Sequence, residues 1–119
     1  MKIGSHILVV DDNDSFRDLL RDVLTERGFK ISEAVNGEDA LQMMEKGFFD
    51  MAIVDLEMPR LNGLEFTKRV KSRSPRFPIV MVTAYASFYQ PSEILAAGVD
   101  AFLQKPIPMD KLVRVVEQI

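Results

Sequence analysis

The sequence predicts an α/β fold, an open parallel sheet of five strands with helices on both faces. Three observations predict it. Short apolar runs without polar alternation occur at Ile7 to Val10, Met51 to Val54, Ile79 to Val82 and Ala101 to Leu103, the pattern of strands buried on both faces. Segments of helical period lie between those runs. The two patterns alternate along the whole chain, with short connections and no linker or repeat, and such alternation implies right-handed crossovers.

Each remaining element has its own signature. Lys30 to Ala34 alternates polar and apolar residues, as an edge strand does. Phe16, Leu19, Leu20, Val23 and Leu24 form one apolar stripe, with Asn13 or Asp14 as the cap and Gly28 as the stop. Ala40, Leu41 and Met44 mark a second helix, closed by Gly47; Leu64, Phe66, Thr67 and Val70 mark a third, capped by Asn62. Ile94, Leu95 and Ala97 mark a short fourth helix closed by Gly98. It begins near Pro91, because a helix accepts proline only in its first turn. Leu112, Val113, Val116 and Ile119 mark a fifth, opened by Pro108 or Met109. Five strands in a (βα)5 chain suggest the doubly wound, flavodoxin-like order 2-1-3-4-5. The chain stops in the fifth helix, so the expectation is one domain over residues 1–119 with no output domain.

Composition narrows the function classes. A chain of 119 residues, 47% hydrophobic and 28% charged, is the size and make-up of one globular unit. The net charge of −3 argues against direct nucleic-acid binding through a large basic face. With no cysteine and one histidine, His6, neither a thiolate site nor a two-imidazole site can form. No apolar run approaches the ~20 residues that span a bilayer, and no signal-peptide pattern opens the chain. The expectation is a cytoplasmic domain without a membrane partner.

In such a sheet, ligands bind beyond the carboxyl ends of the strands, near the point where strand order reverses, here between strands 1 and 3. The residues leaving those ends are Asp11 and Asp12, Asp55, Thr83, and Lys105 before Pro106. Each has an ordinary explanation alone, as a capping acid, a turn acid, a β-former or a solvated lysine. Together they deliver a polar group from every central strand to one rim. Three converging carboxylates repel one another unless a cation joins them. An oxygen-only ligand set favours a hard cation, and Mg²⁺ suits few carboxylates combined with water and phosphate oxygens. A carboxylate nucleophile, a Mg²⁺ ion, a lysine and a hydroxyl make up a phosphoryl-transfer set.

The sequence resembles the receiver domain of two-component response regulators over essentially its whole length. The matching pieces are Val9 to Asp12, Val54 to Pro59 with Asn62 and Gly63, Val82 to Ala84, Ala97 with Gly98, and Lys105 with Pro106. The resemblance implies that Asp55 is the phosphorylated residue, with Thr83 and Lys105 binding phosphoryl oxygens. Asp12 and Asp55 would ligate Mg²⁺ through side-chain oxygens and Glu57 through its backbone carbonyl, with Asp11 acting through water. The donor would be the phosphohistidine of a sensor histidine kinase or phosphotransfer protein. The domain would promote its own phosphorylation and slow dephosphorylation without being an ordinary enzyme. Thr83 would move toward the phosphoryl group, and Phe102 would take the space it leaves. Where the family often has tyrosine, Phe102 lacks a hydroxyl. The family also implies a cis Lys105–Pro106 bond.

Two rival readings fit less well. A pseudo-receiver would lack site residues, and a phosphatase of the haloacid dehalogenase type would want an Asp-x-Asp pair and a cap domain. Three features look particular to this chain. Glu57 and Tyr85 follow Asp55 and Thr83 by two positions each and are expected to flank the site mouth. The segment from Tyr85 to Pro91, with Phe88 and Tyr89, is aromatic and uncharged, so the face of helix 4, strand 5 and helix 5 (the 4-5-5 face) is expected to mediate homodimerisation or effector docking. Lys68, Arg69, Lys71, Arg73 and Arg76 surround the end of the third helix, read as a solvated basic end favoured by the helix dipole.

Overall fold

Period-2 patterning in the strands splits the apolar residues into two cores. Ile7 and Val9 of the first strand point to one face of the sheet and Leu8 and Val10 to the other, all four fully buried. The structure, a computed structural model, describes residues 1–84 and 89–119. Its elements run β1 (His6–Val10), α1 (Asp14–Glu26), β2 (Lys30–Ala34), α2 (Gly37–Lys46), β3 (Met51–Val54), α3 (Gly63–Arg73), β4 (Ile79–Thr83), α4 (Pro91–Ala96), β5 (Ala101–Gln104) and α5 (Met109–Gln118). All strand pairs are parallel, and the sheet order is β2-β1-β3-β4-β5. Both the fold class and the strand order match the expectation.

One core packs Leu20 and Leu24 of α1 and Leu112, Val113 and Val116 of α5 against Ile7, Val9, Ile53 and Val82. The opposite core packs Ala40 of α2 and Phe66 and Val70 of α3 against Leu8, Val10, Ala52, Val54 and Ile79. A third, smaller cluster joins Leu56, Leu64 and Met81 to Ile94 and Ala97 on the α4 side, with Tyr89, Val99 and Phe102 packed against it.

The first three helices start by a single device. Asn13, Asn36 and Asn62 each accept a hydrogen bond from the amide three residues on, at 2.9, 2.8 and 3.0 Å, so three asparagines satisfy helix N-termini on one rim. Of the two residues expected to cap α1, Asn13 does so. Pro91 opens α4 and Pro108 caps α5. Gly28 and Gly98 follow α1 and α4 with positive φ. Gly47 ends α2 in extended backbone.

Three apolar residues depart from the expected pattern. Leu19 lies at the edge of the α1 stripe and is 45% exposed, Leu95 faces outward from α4, and Ile119 lies past the end of α5. Strand β5 is half-buried, although its apolar run reads as a strand buried on both faces. It sits at the sheet edge, with a neighbour on one side only. The readings that concern Tyr85 and Phe88 fall outside the described residues.

Candidate functional site

Register brings the acids together. Val10 of β1 pairs with Val54 of β3, so the next residues, Asp11 and Asp55, leave the sheet side by side. The ladder continues one step past both strands, with the Asp55 amide donating to the Val10 carbonyl at 2.9 Å. On the other side Thr83 pairs with Gln104, and the Lys105 amide donates to the Thr83 carbonyl at 2.9 Å. The Lys105–Pro106 bond is cis. Gly63 lets the start of α3 lie against this rim, because a Cβ there would stand 2.1 Å from the Asp55 carbonyl oxygen.

Asp11 and Asp55 are buried, Asp12 is exposed, and Thr83 is fully buried. One Asp11 oxygen accepts from the Asn13 amide at 2.9 Å, and the other from the Lys105 ammonium at 2.9 Å. The same ammonium stands 3.5 Å from an Asp55 oxygen. The other Asp55 oxygen accepts from the Glu57 amide at 3.4 Å, and the Thr83 side chain bonds Asp55 as well. Burial first, and the Asp11 charge second, push the Asp55 carboxyl above the usual carboxylate range. Lys105, the Thr83 hydroxyl and the Glu57 amide pull against that rise and do not cancel it.

Asp11, Asp12 and Asp55 each offer an oxygen, and these oxygens lie within 4.8 Å of one another. Octahedral Mg²⁺ at about 2.0–2.1 Å from its ligands holds them roughly 3–4 Å apart, so a small contraction suits this set to the ion. The donors are all oxygen, the chemistry a hard cation needs. Glu57 is exposed, and its carboxylate accepts a hydrogen bond from the Tyr89 phenol. A hollow of about 590 Å³ opens over the group, lined by Asp12, Asn13, Asp55, Glu57, Met58, Pro59, Ala84 and Lys105. It has room for a phosphate-sized anion beside a metal.

Asp11, Asp12, Asp55, Glu57, Thr83 and Lys105 thus share one rim. Phe102 does not reach it, and packs half-buried against the cluster of Leu56, Leu64, Met81, Ile94 and Ala97. Three further residues serve the rim in ways the sequence does not indicate: it shows Phe16 only as part of the α1 stripe and Tyr89 only as part of an aromatic surface segment, and it does not single out Arg17. The Phe16 ring lies under the Lys105 ammonium, 4.0 Å from it. Arg17 is buried and donates to the Asp11 carbonyl at 2.6 Å while pairing with Asp14 and Glu33. Tyr89 reaches Glu57.

Lys68, Arg69, Lys71 and Arg73 lie in the second half of α3 and Arg76 just past it, away from the α3 N-terminus that borders the rim. Lys71 pairs with Asp100 at 2.9 Å and Lys68 with Glu65 at 3.6 Å. Among the described residues no helix is long and apolar enough to cross a membrane.

Comparison with known proteins agrees with this geometry. The profile of the response regulator receiver domain matches residues 7–117. The transcriptional regulatory protein ZraR of Klebsiella oxytoca is 36% identical over 106 residues, covering 89% of this chain and 24% of its own length. A CheY-like response regulator receiver domain protein from Methanospirillum hungatei superposes with a TM-score of 0.91 at 29% identity, covering 97% of this chain and 92% of its own. The response regulator TrrA of Thermotoga maritima, solved in complex with Mg²⁺ and BeF, superposes with a TM-score of 0.87 at 34% identity, covering 96% and 97%. The chain belongs to the response regulator receiver domain family, the phosphoacceptor signalling switches of two-component systems.

Proposed function

We propose that Asp55 is the phosphoryl acceptor of this domain, with Asp11, Asp12 and the Glu57 carbonyl as the Mg²⁺-binding partners of its carboxylate. The observation that carries the reading is the convergence of Asp55 with Asp11, Asp12 and Lys105 at one strand rim. An Asp55 oxygen attacks phosphorus as the bond from the donor imidazole nitrogen to phosphorus breaks. The electron pair stays on the imidazole, which takes up a proton. Transfer of this kind has a loose transition state, so positioning and charge neutralisation supply most of the catalysis. Mg²⁺ held here supplies positive charge against the equatorial oxygens. Lys105 moves its ammonium from the carboxylates to a phosphoryl oxygen, and the Thr83 hydroxyl turns from Asp55 to another. Attack of water on phosphorus later returns Asp55 as a carboxylate and releases inorganic phosphate.

The donor is a histidine kinase or phosphotransfer protein, and the setting is the cytoplasm. The Thr83 shift empties space beside β4 that Phe102 enters from the α4-side cluster, and the α4-β5-α5 face changes with it. Since Phe102 carries no hydroxyl, the readout there is packing alone. What supports this route is that Thr83 bonds Asp55 while Phe102 already packs on Met81, two residues before Thr83.

The test is intact-mass analysis after incubation with Mg²⁺ and acetyl phosphate. Wild type should gain one phosphoryl group, and Asp55→Asn none. Equal incorporation in Asp55→Asn would remove the assignment.

A further inference from the structure

Glu57 leaves the end of β3 two residues after Asp55 and lines the same hollow, yet its carboxylate stands outside the converging acids. It is held instead by the Tyr89 phenol. The Tyr89 ring is half-buried and packs on the cluster of Leu56, Leu64, Met81, Ile94 and Ala97. One side chain therefore has its ring seated in the α4-side core and its hydroxyl at the site mouth. A phenol is protonated, and so a donor, through the neutral range.

We propose that Tyr89 is a positioning residue for hydrolysis of the phosphoryl group on Asp55, holding the Glu57 carboxylate away from the attacking water. The inference rests on Asp55 being the acceptor. A free carboxylate two residues from Asp55 can act as a base. The water oxygen bonds to phosphorus, its proton passes to Glu57, and the bond from phosphorus to the Asp55 oxygen breaks with its electron pair returning to the carboxylate. While Tyr89 donates to Glu57, one carboxylate oxygen is committed to the phenol and is not free to accept the proton of the water. The phenol therefore lengthens the life of the phosphorylated state. The ring only places the hydroxyl, so Tyr89→Phe keeps the packing and removes the hold.

The experiment labels wild type, Tyr89→Phe, Glu57→Ala and the double variant with acetyl phosphate and saturating Mg²⁺. The donor is then removed, and decay of the phosphorylated mass is followed. Tyr89→Phe should shorten the lifetime about threefold to tenfold, a small part of what a positioned base can supply. In the Glu57→Ala background the same change should have no effect, as it must if Tyr89 acts through Glu57. An unchanged or longer lifetime in Tyr89→Phe, or equal shortening in both backgrounds, overturns the proposal. Absence of label on wild type would overturn the acceptor assignment and this inference together, whereas normal labelling with unaltered decay overturns this inference alone.

Discussion

The Lys105 ammonium stands 2.9 Å from an Asp11 carboxylate oxygen, joining residues 94 positions apart at the ends of β1 and β5. It is the cation beside the two buried carboxylates, and the Phe16 ring fixes it from below. Without metal, Lys105→Met leaves Asp11 and Asp55 buried and uncompensated. The loss should be about 2 kcal/mol at neutral pH, less than for a fully buried pair because the Lys105 side chain is 19% exposed. Urea unfolding in the presence of a chelator measures it. A wild-type midpoint would mean that the ion pair does not hold the rim together.

Asp55 gives the metal-free protein a pH dependence of definite sign. Its folded pKa lies above the ordinary value. The folded state therefore holds a proton that the unfolded chain has already released. This contribution is fully present below the unfolded pKa of about 3.9 and is lost as pH rises through the raised folded value. Asp55→Asn should flatten that decline in chelator-treated protein, and be the more stable of the two at neutral pH. Parallel stability curves for the two proteins would contradict the placement of a strained carboxylate at Asp55.

Metal binding should be visible as mass action. Mg²⁺ binds the folded rim and not the unfolded chain, so it raises the melting temperature in proportion to the logarithm of its concentration. Asp12→Ala removes one of three converging oxygens. It should lose most of the Mg²⁺ response and melt slightly higher than wild type without metal, slightly because Asp12 is exposed and its repulsion is screened by water. An equal Mg²⁺ shift in both proteins would exclude Asp12 as a ligand.

The α4-β5-α5 face should carry the output. Leu95 on α4 is 69% exposed, a large apolar side chain that this helix presents to solvent. Beryllofluoride with Mg²⁺ should induce self-association in sedimentation experiments, and Leu95→Ser should weaken it. Contact through packing should tolerate added salt. Association that survives Leu95→Ser unchanged would move the contact elsewhere.

What the residues disclose by themselves follows from physical constraints of different range. Ile7 to Val10 is legible as a buried strand because no polar residue interrupts it, and Asn13 and Asn62 are legible as caps because capping is local. Asp11 and Asp55 are legible as neighbours once the strand order is known, since register then fixes which strand ends adjoin. Tyr89 is different. It lies 32 positions from Glu57, and only the path of the chain into α4 brings the phenol to the carboxylate. Phe16 is similar: helical spacing marks it as part of the α1 stripe, and it does pack against that core, but only the fold brings the Lys105 ammonium over its ring. Edge position likewise explains β5, whose apolar run is legible but whose exposure depends on which strand lies outermost.

The central claim is that the phosphoryl group resides on Asp55. Borohydride reduces an acyl phosphate to an alcohol and so converts a phosphorylated aspartate to homoserine, which stays at its position through proteolysis. Protein labelled with acetyl phosphate and Mg²⁺, then reduced, should yield homoserine at position 55 in the peptide containing Asp55 and Glu57. Homoserine at Asp11 or Asp12, with position 55 still aspartate, would contradict the account.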